Sequence, residues 1–261
     1  MHTKTEGVVL KEFRFRETSK ILTIFTRKHG KIHAMARGAY RPKSKLIANT
    51  QPFSYNDYYL FKGRNFYYIN QGEIIDSFYS IRENIQRMMY GSYLLELVDL
   101  SILEEEKNEK LFLLLVKGLK VLSGLEEDYY KFILSYELKF ISFLGYRPSI
   151  EGCVVCGRNK FSNYKFSIDK GGIICPSCST TESCCENMDI QMYKAIKALL
   201  YTPLDKLSSL KIPKDTTFKL HKIMVKYILN KIERNQFNSL NILNLMNNNG
   251  GEFNGYFSGK S

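Results

Sequence analysis

Four of the six cysteines stand in the pattern C-x2-C-x18-C-x2-C, as Cys153, Cys156, Cys175 and Cys178. Two thiolates three positions apart reach one tetrahedral corner only where the chain turns sharply between them, and Gly157 and Pro176 suit such turns. Between the pairs, Tyr164 to Ile168 and Ile173 to Cys175 predict a hairpin turning over residues 169–172, the layout of a zinc ribbon. Disulfides are the competing use of the same cysteines. The N-terminus passes directly into a strand-like run with no signal-peptide core, and apolar runs such as Leu111 to Val116 are far shorter than the roughly 18–20 residues that span a bilayer. The reading is therefore a cytoplasmic chain with no membrane partner, where thiols stay reduced. Four thiolates leave no open coordination position, so the expectation is one structural Zn2+. Such a site contributes on the order of 10 kcal/mol to local folding, which a short segment with few apolar residues needs. Cys184 and Cys185 fall outside the pattern and read as incidental buried or free thiols, with ligation by one of them in another register as the alternative. A zinc deaminase requires His-x-Glu and Pro-Cys-x-x-Cys, whereas here the proline lies inside the pair and no His-x-Glu occurs. Nothing in the residues points to catalysis, and the expectation is no enzyme.

The hydropathy pattern changes along the chain. Glu6 to Glu12, Ser19 to Arg27 and Lys31 to Arg37 read as strands, the third with Ile32, Ala34 and Ala36 on one face. Gly38 to Thr50 is polar, with room for one short helix. Two aromatic strands follow, Phe53 to Phe61 and Phe66 to Ile75, with a turn over residues 62–65. Five strands with the longest interruption after the third suit an OB-type barrel, although an SH3-like barrel has a similar strand count. From about Ile81 the period becomes helical, through Met88 to Val98, Leu111 to Val121 and Phe132 to Phe143, the last ended by Gly145 and Pro148. Two further helices are predicted near Ile190 to Leu200 and Asp215 to Arg234. From Asn247 onward the chain is rich in Asn, Gly and Ser, and residues 247–261 read as a disordered tail.

Charge supplies the functional clue. The chain carries 38 Lys+Arg against 26 Asp+Glu, a formal net charge of +12, and such a field draws polyanions. Between Lys11 and Lys45 eleven basic residues face only Glu12 and Glu17. Arg14, Arg16 and Lys20 gather with Phe13 and Phe15 between the first two strands, Arg27 and Lys31 flank the next turn, and Arg37, Tyr40, Arg41, Lys43 and Lys45 follow the third strand. Cations neutralise phosphates while rings stack on bases, so basic loops interleaved with aromatics suit single-stranded nucleic acid. A solvated surface over core phenylalanines is the alternative. Lys219, Lys222 and Lys226 make a second stripe beside Ile223, Tyr227 and Ile228, read either as a solvated helix face or as a groove for an acidic, partly apolar peptide.

The chain resembles the bacterial RecO recombination mediators from Thr5 to about Cys178. The likeness runs through Arg16-Glu17-Thr18-Ser19-Lys20-Ile21-Leu22-Thr23-Ile24-Phe25-Thr26, Gly30-Lys31-Ile32, Arg37-Gly38-Ala39 and Gln51-Pro52-Phe53. It continues in Tyr136-Glu137-Leu138, Leu144-Gly145-Tyr146 with Pro148, the first cysteine pair with Gly157, and Gly171-Gly172 with Cys175. The resemblance implies an α+β chain: an N-terminal five-stranded OB-type β-barrel (1–79), then a C-terminal all-helical domain (80–246) with an inserted four-cysteine zinc ribbon (150–186). It implies binding of single- and double-stranded DNA, annealing of complementary strands, contact with the acidic tail of single-strand-binding protein (SSB), and cooperation with RecR in loading RecA. It implies a cytoplasmic, nucleoid-associated protein, with the Lys219 stripe a candidate for the SSB tail. The alternative reading is a zinc-ribbon and OB-fold transcription or translation factor.

Overall fold

A computed structural model describes residues 2–160, 163–182 and 184–242. Five strands, β1 (His2–Phe15), β2 (Ser19–Thr26), β3 (Gly30–Ala36), β4 (Tyr55–Lys62) and β5 (Tyr67–Asp76), close into a barrel in the order β1-β2-β3-β5-β4. The parallel pairing of β3 with β5 (Ala34 to Tyr67, Met35 to Tyr68) makes this OB-type topology, which the strand count alone left open against an SH3-like barrel. Closure depends on β1, which pairs β2 through Gly7 to Phe15 and β4 through His2 to Val8, with a register shift between Val9 and Lys11. At the crossing, a Cβ on Gly7 would lie 2.8 Å from Ile24 Cγ2, so only glycine lets β1 pass so close to β2.

Strand alternation then sorts the side chains. Val9, Leu22, Ile24, Ile32, Ala34, Tyr58 and Leu60 fill the barrel. Val8, Leu10 and Phe25 point outward, yet all are buried, because they join the core of the helices. Phe25 and Tyr55 both pack edge-on against Phe112, with ring centroids 5.7 and 6.1 Å away. The barrel therefore shares a core with the helical body. Between β3 and β4 the polar stretch holds one 3-10 turn, Ala48–Thr50.

The body comprises α1 (Tyr79–Glu83), α2 (Ile85–Ser101), α3 (Glu109–Ser123) and α4 (Tyr129–Phe143). Asn84 and Asn108 cap α2 and α3 by accepting from the N–H groups of Arg87 and Leu111, each at 3.0 Å. Gly145 (φ +94°) ends the turn after α4 in the left-handed region, as predicted. The metal module follows: β6 (Tyr164–Ser167), β7 (Gly172–Ile174), α5 (Pro176–Ser179) and β8 (Cys185–Met188), in a sheet ordered β7-β6-β8. The chain returns to the body through α6 (Ile190–Tyr201), a 3-10 segment Leu204–Ser209, and α7 (Lys214–Lys231). At the centre, Glu137 of α4 is fully buried, held by the Tyr93 hydroxyl at 2.6 Å and His221 Nδ1 at 2.9 Å, which ties α2, α4 and α7 together.

One expectation needs revision. The hairpin between the cysteine pairs is joined by a third strand, β8, whose Cys185 pairs with Ser167. The module is also anchored by packing: Phe166, Ile168, Ile173 and Met188 belong to the main core, and Phe166 meets Tyr227 of α7 edge-on at 5.3 Å. Ile174 instead packs against Cys153 and Cys175. The predicted disordered tail, 247–261, lies outside the described residues.

Candidate nucleic-acid interface and metal centre

The four predicted metal-ligating sulfurs lie within 4.8 Å of one another, and Cys156 Sγ is 3.8 Å from Cys175 Sγ. Tetrahedral Zn–S bonds of about 2.3 Å place sulfurs about 3.8 Å apart, so the donor set fits such an ion. Each pair has a turn that aims it. Gly157 (φ +74°) returns its N–H to the Cys153 carbonyl at 2.8 Å, and Pro176 opens α5 at the first helical position. Burial pushes the Cys153 thiol up, but the N–H groups of Cys156, Cys175 and Val155 outweigh it and bring it down to about 6, which favours the thiolate a metal needs. Cys185 packs against this cluster without belonging to the four-sulfur group, and Cys184 is exposed. The group is closed, with four sulfurs and no fifth ligand among the described residues, and it suits a structural metal.

The ten predicted nucleic-acid residues separate into two sets. Arg14, Arg16 and Lys20 lie at the β1–β2 turn, and Arg37, Tyr40, Arg41, Lys43 and Lys45 follow β3, at the same end of the barrel. The loops are tied together: Tyr40 N–H donates to the Thr18 carbonyl at 2.9 Å, and Gly38 N–H to Ser19 Oγ at 3.4 Å. The Tyr40 ring lies between cations, with Lys20 Nζ at 4.8 Å and the Arg14 guanidinium at 5.5 Å, while Arg37 lies 4.7 Å over Tyr68 of β5. Lys20 is itself buried and paired with Glu12 at 2.5 Å. Arg14, Arg16, Arg37, Arg41, Lys43 and Lys45 are exposed and form no ion pair among the described residues.

Arg27 and Lys31 lie at the opposite end, against the helical body. Arg27 pairs with Glu6 at 2.9 Å and Glu109 at 2.6 Å, and these carboxylates, Glu109 foremost, hold its guanidinium above the ordinary range. Lys31 pairs with Asp99 at 3.4 Å and donates to the Asp99 carbonyl. Both cations are engaged in joining barrel to body. The local count of basic residues could not show this, because their partners are up to 82 residues away.

On α7 the predicted stripe stands at the edge of a cavity of about 430 Å³ lined by Phe218, Ile223, Val225, Met192 and Leu240. Lys219 pairs with Asp215 at 2.6 Å and Lys226 with Glu186 at 2.5 Å, while Lys222 Nζ lies 4.2 Å over the Phe218 ring. Sequence reasoning missed Phe218 and His221, whose place on the same helix face was visible in the helical period.

Comparison with known proteins agrees with this architecture. Residues 1–78 match the family profile described as Recombination protein O N terminal, and residues 82–241 match Recombination protein O C terminal. The chain is 38% identical to the DNA repair protein RecO of Alkaliphilus metalliredigens over 242 residues, 93% of this chain and 98% of that protein. It is 36% identical to the DNA repair protein RecO of a Thermoanaerobacter species over 245 residues, 94% of this chain and 98% of that protein. With the Clostridium perfringens protein of the same name it shares 34% over 239 residues, 91% and 95% of the two chains. A closed OB-type barrel on a helical body, a four-cysteine centre and these matches along nearly the whole chain lead to one conclusion: it belongs to the RecO family of DNA repair proteins.

Proposed function

We propose that the protein is a non-enzymatic recombination mediator that binds single- and double-stranded DNA through the open end of its barrel. It anneals complementary strands and, with RecR, helps load RecA onto SSB-coated DNA. One observation carries the DNA reading: six exposed cations without ion pairs among the described residues share one end of the barrel with the Tyr40 ring. Unpaired cations release counterions when they meet phosphates, whereas paired ones must first give up a carboxylate. Bringing that charge to two strands screens the repulsion between their backbones and lowers the barrier to annealing. The largely apolar α7 cavity suits the acidic SSB tail through Lys222, with Lys219 and Lys226 joining once the tail displaces Asp215 and Glu186. Residues 1–79 serve as the DNA-binding domain, 80–246 as the platform for SSB and RecR, and 150–186 as a module held by one structural Zn2+, in a cytoplasmic protein that works at the nucleoid.

Annealing of complementary strands coated with intact SSB, or with SSB lacking its acidic tail, tests this reading. Fast annealing that needs the tail supports both mediator and partner. DNA binding without annealing on either substrate would instead favour a zinc-ribbon transcription or translation factor. For the metal, Cys153→Ser is expected to lose one equivalent of zinc by elemental analysis while the barrel stays folded; full retention would remove Cys153 from the ligand set.

A further inference from the structure

The segment between α2 and α3, Leu103-Glu104-Glu105-Glu106-Lys107, carries three consecutive carboxylates and does not simply link two helices. It crosses to the barrel, where Glu104 forms a parallel β-bridge with Lys31 and the Glu105 N–H donates to the Lys31 carbonyl at 2.8 Å. The fit is close. Gly30 (φ +67°) has no room for a Cβ, which would lie 2.0 Å from the Glu106 carbonyl oxygen, and Glu105 itself takes φ +57°. The side chains then meet polar partners: Glu104 Oε1 lies 2.8 Å from His33 Nε2, and Glu105 Oε1 lies 2.6 Å from the Lys62 ammonium and 3.3 Å from the Tyr67 hydroxyl. They border a cleft of about 90 Å³ whose wall includes Arg64, which has no ion pair among the described residues.

This place is not isolated from the open end. Arg37 leaves β3 and covers Tyr68, Tyr68 neighbours Tyr67 on β5, and β3 and β5 pair side by side through Ala34 to Tyr67 and Met35 to Tyr68. Arg37 and Tyr68 thus lie on the outer face of β3 and β5, while Tyr67 turns into the barrel core and its hydroxyl reaches Glu105 in the cleft of Lys62 and Arg64. In OB barrels the second and third strands and the β4–β5 turn are surfaces that receive oligonucleotides. Carboxylates on a backbone laid beside β3 present the same charge in the same place as a phosphate chain. The Glu104 and Glu105 side chains remain 65% and 53% exposed, so their contacts with His33 and Lys62 lie in high dielectric and exchange readily for another anion.

We propose that His33, Lys62 and Arg64 form a second phosphate-backbone site at the far end of the β3–β5 pair, which Glu104 and Glu105 occupy until a nucleic-acid strand displaces them. The proposal rests on the reading of the open end as a DNA site, and its test separates the two. The full-length protein is titrated with fluorescent oligothymidylate over a range of salt. Glu104→Gln with Glu105→Gln is expected to bind about fivefold tighter, with a salt dependence steeper by about 0.7, the slope of one phosphate contact on a single strand. Adding Lys62→Ala to that variant cancels the gain, because the gain comes from the freed cation. Glu126→Gln with Glu127→Gln, on the exposed loop before α4, removes the same charge elsewhere and stays within twofold of wild type. Arg64→Ala, which breaks no ion pair, weakens binding about threefold and so tests the site even if the double variant folds poorly. Unchanged affinity and slope in the Glu104/Glu105 and Arg64 variants, alongside weakened binding by Arg37→Glu with Lys43→Glu, would overturn the second site and leave the open end standing. Equal tightening by the Glu126/Glu127 variant would also overturn it, as a mere effect of net charge. Undiminished binding by the Arg37/Lys43 variant would instead refute the open-end reading on which the proposal depends.

Discussion

The two ends of the barrel are built from the same kinds of residue and put them to opposite uses. At the β1–β2 turn and the exit of β3, Arg14, Arg16, Arg37, Arg41, Lys43 and Lys45 point into solvent without ion pairs among the described residues. At the β2–β3 turn, Arg27 and Lys31 are engaged by Glu6, Glu109 and Asp99, and Glu104 and Glu105 cover His33 and Lys62. Both ends count as basic in sequence, yet at the second most cations are paired, and Lys28 and Arg64 there stand exposed without an ion pair among the described residues. What separates them is the helical body, which supplies carboxylates to the end it touches. Charge available for a ligand is the charge left over after folding.

The comparison can be broken most readily at the open end. Arg37→Glu with Lys43→Glu should weaken single-strand binding more than about 30-fold at low salt and flatten the salt dependence by about 1.4, two contacts of 0.7 each. An unchanged slope in filter or anisotropy titrations would show that these residues touch no phosphate. At the closed end the expected loss is in stability. Lys31→Met removes the donor to the Asp99 carbonyl while Lys11 still pairs with the Asp99 carboxylate at 2.6 Å. The change should cost about 1–3 kcal/mol in urea unfolding, and DNA affinity at 150 mM salt, where the Debye length is about 8 Å, stays within threefold. A large affinity loss with normal stability would place Lys31 in the DNA site after all.

The smallest expected effect concerns pH. The Lys62 ammonium, foremost, holds the Glu105 carboxyl below its ordinary value of 4.5. A carboxyl with a lowered folded pKa contributes stability that is fully present above 4.5 and is lost as pH falls through the lower folded value. The difference in urea midpoint between wild type and Lys62→Met should therefore be present at pH 7 and shrink on acidification below 4.5. A difference that persists unchanged at the lowest pH where the protein stays folded would mean that the pair contributes nothing through charge.

Much of this was legible residue by residue. The alternation of Ile32, Ala34 and Ala36 carried β3, and the helical recurrence from Met88 onward carried the body, because both periods are imposed by backbone geometry. Cysteine spacing located the metal centre, since two ligands three residues apart need only one local turn. The third strand of the metal module was not legible: Cys185 to Met188 is short, and its partner Tyr164 to Ser167 lies about twenty residues back. The anchoring of that module through Phe166 and Tyr227 was hidden for the same reason.

The sequence by itself determined the types of element, the family, the four sulfurs and the sum of positive charge, because these depend on local periods, spacings and counts. Only the tertiary structure decided which barrel the strands close and which cations remain free, and it alone laid the acidic run Glu104 to Glu106 on β3. Those outcomes turn on contacts between residues tens of positions apart, such as Arg27 with Glu109, and no local pattern records a contact whose two halves are chosen by packing.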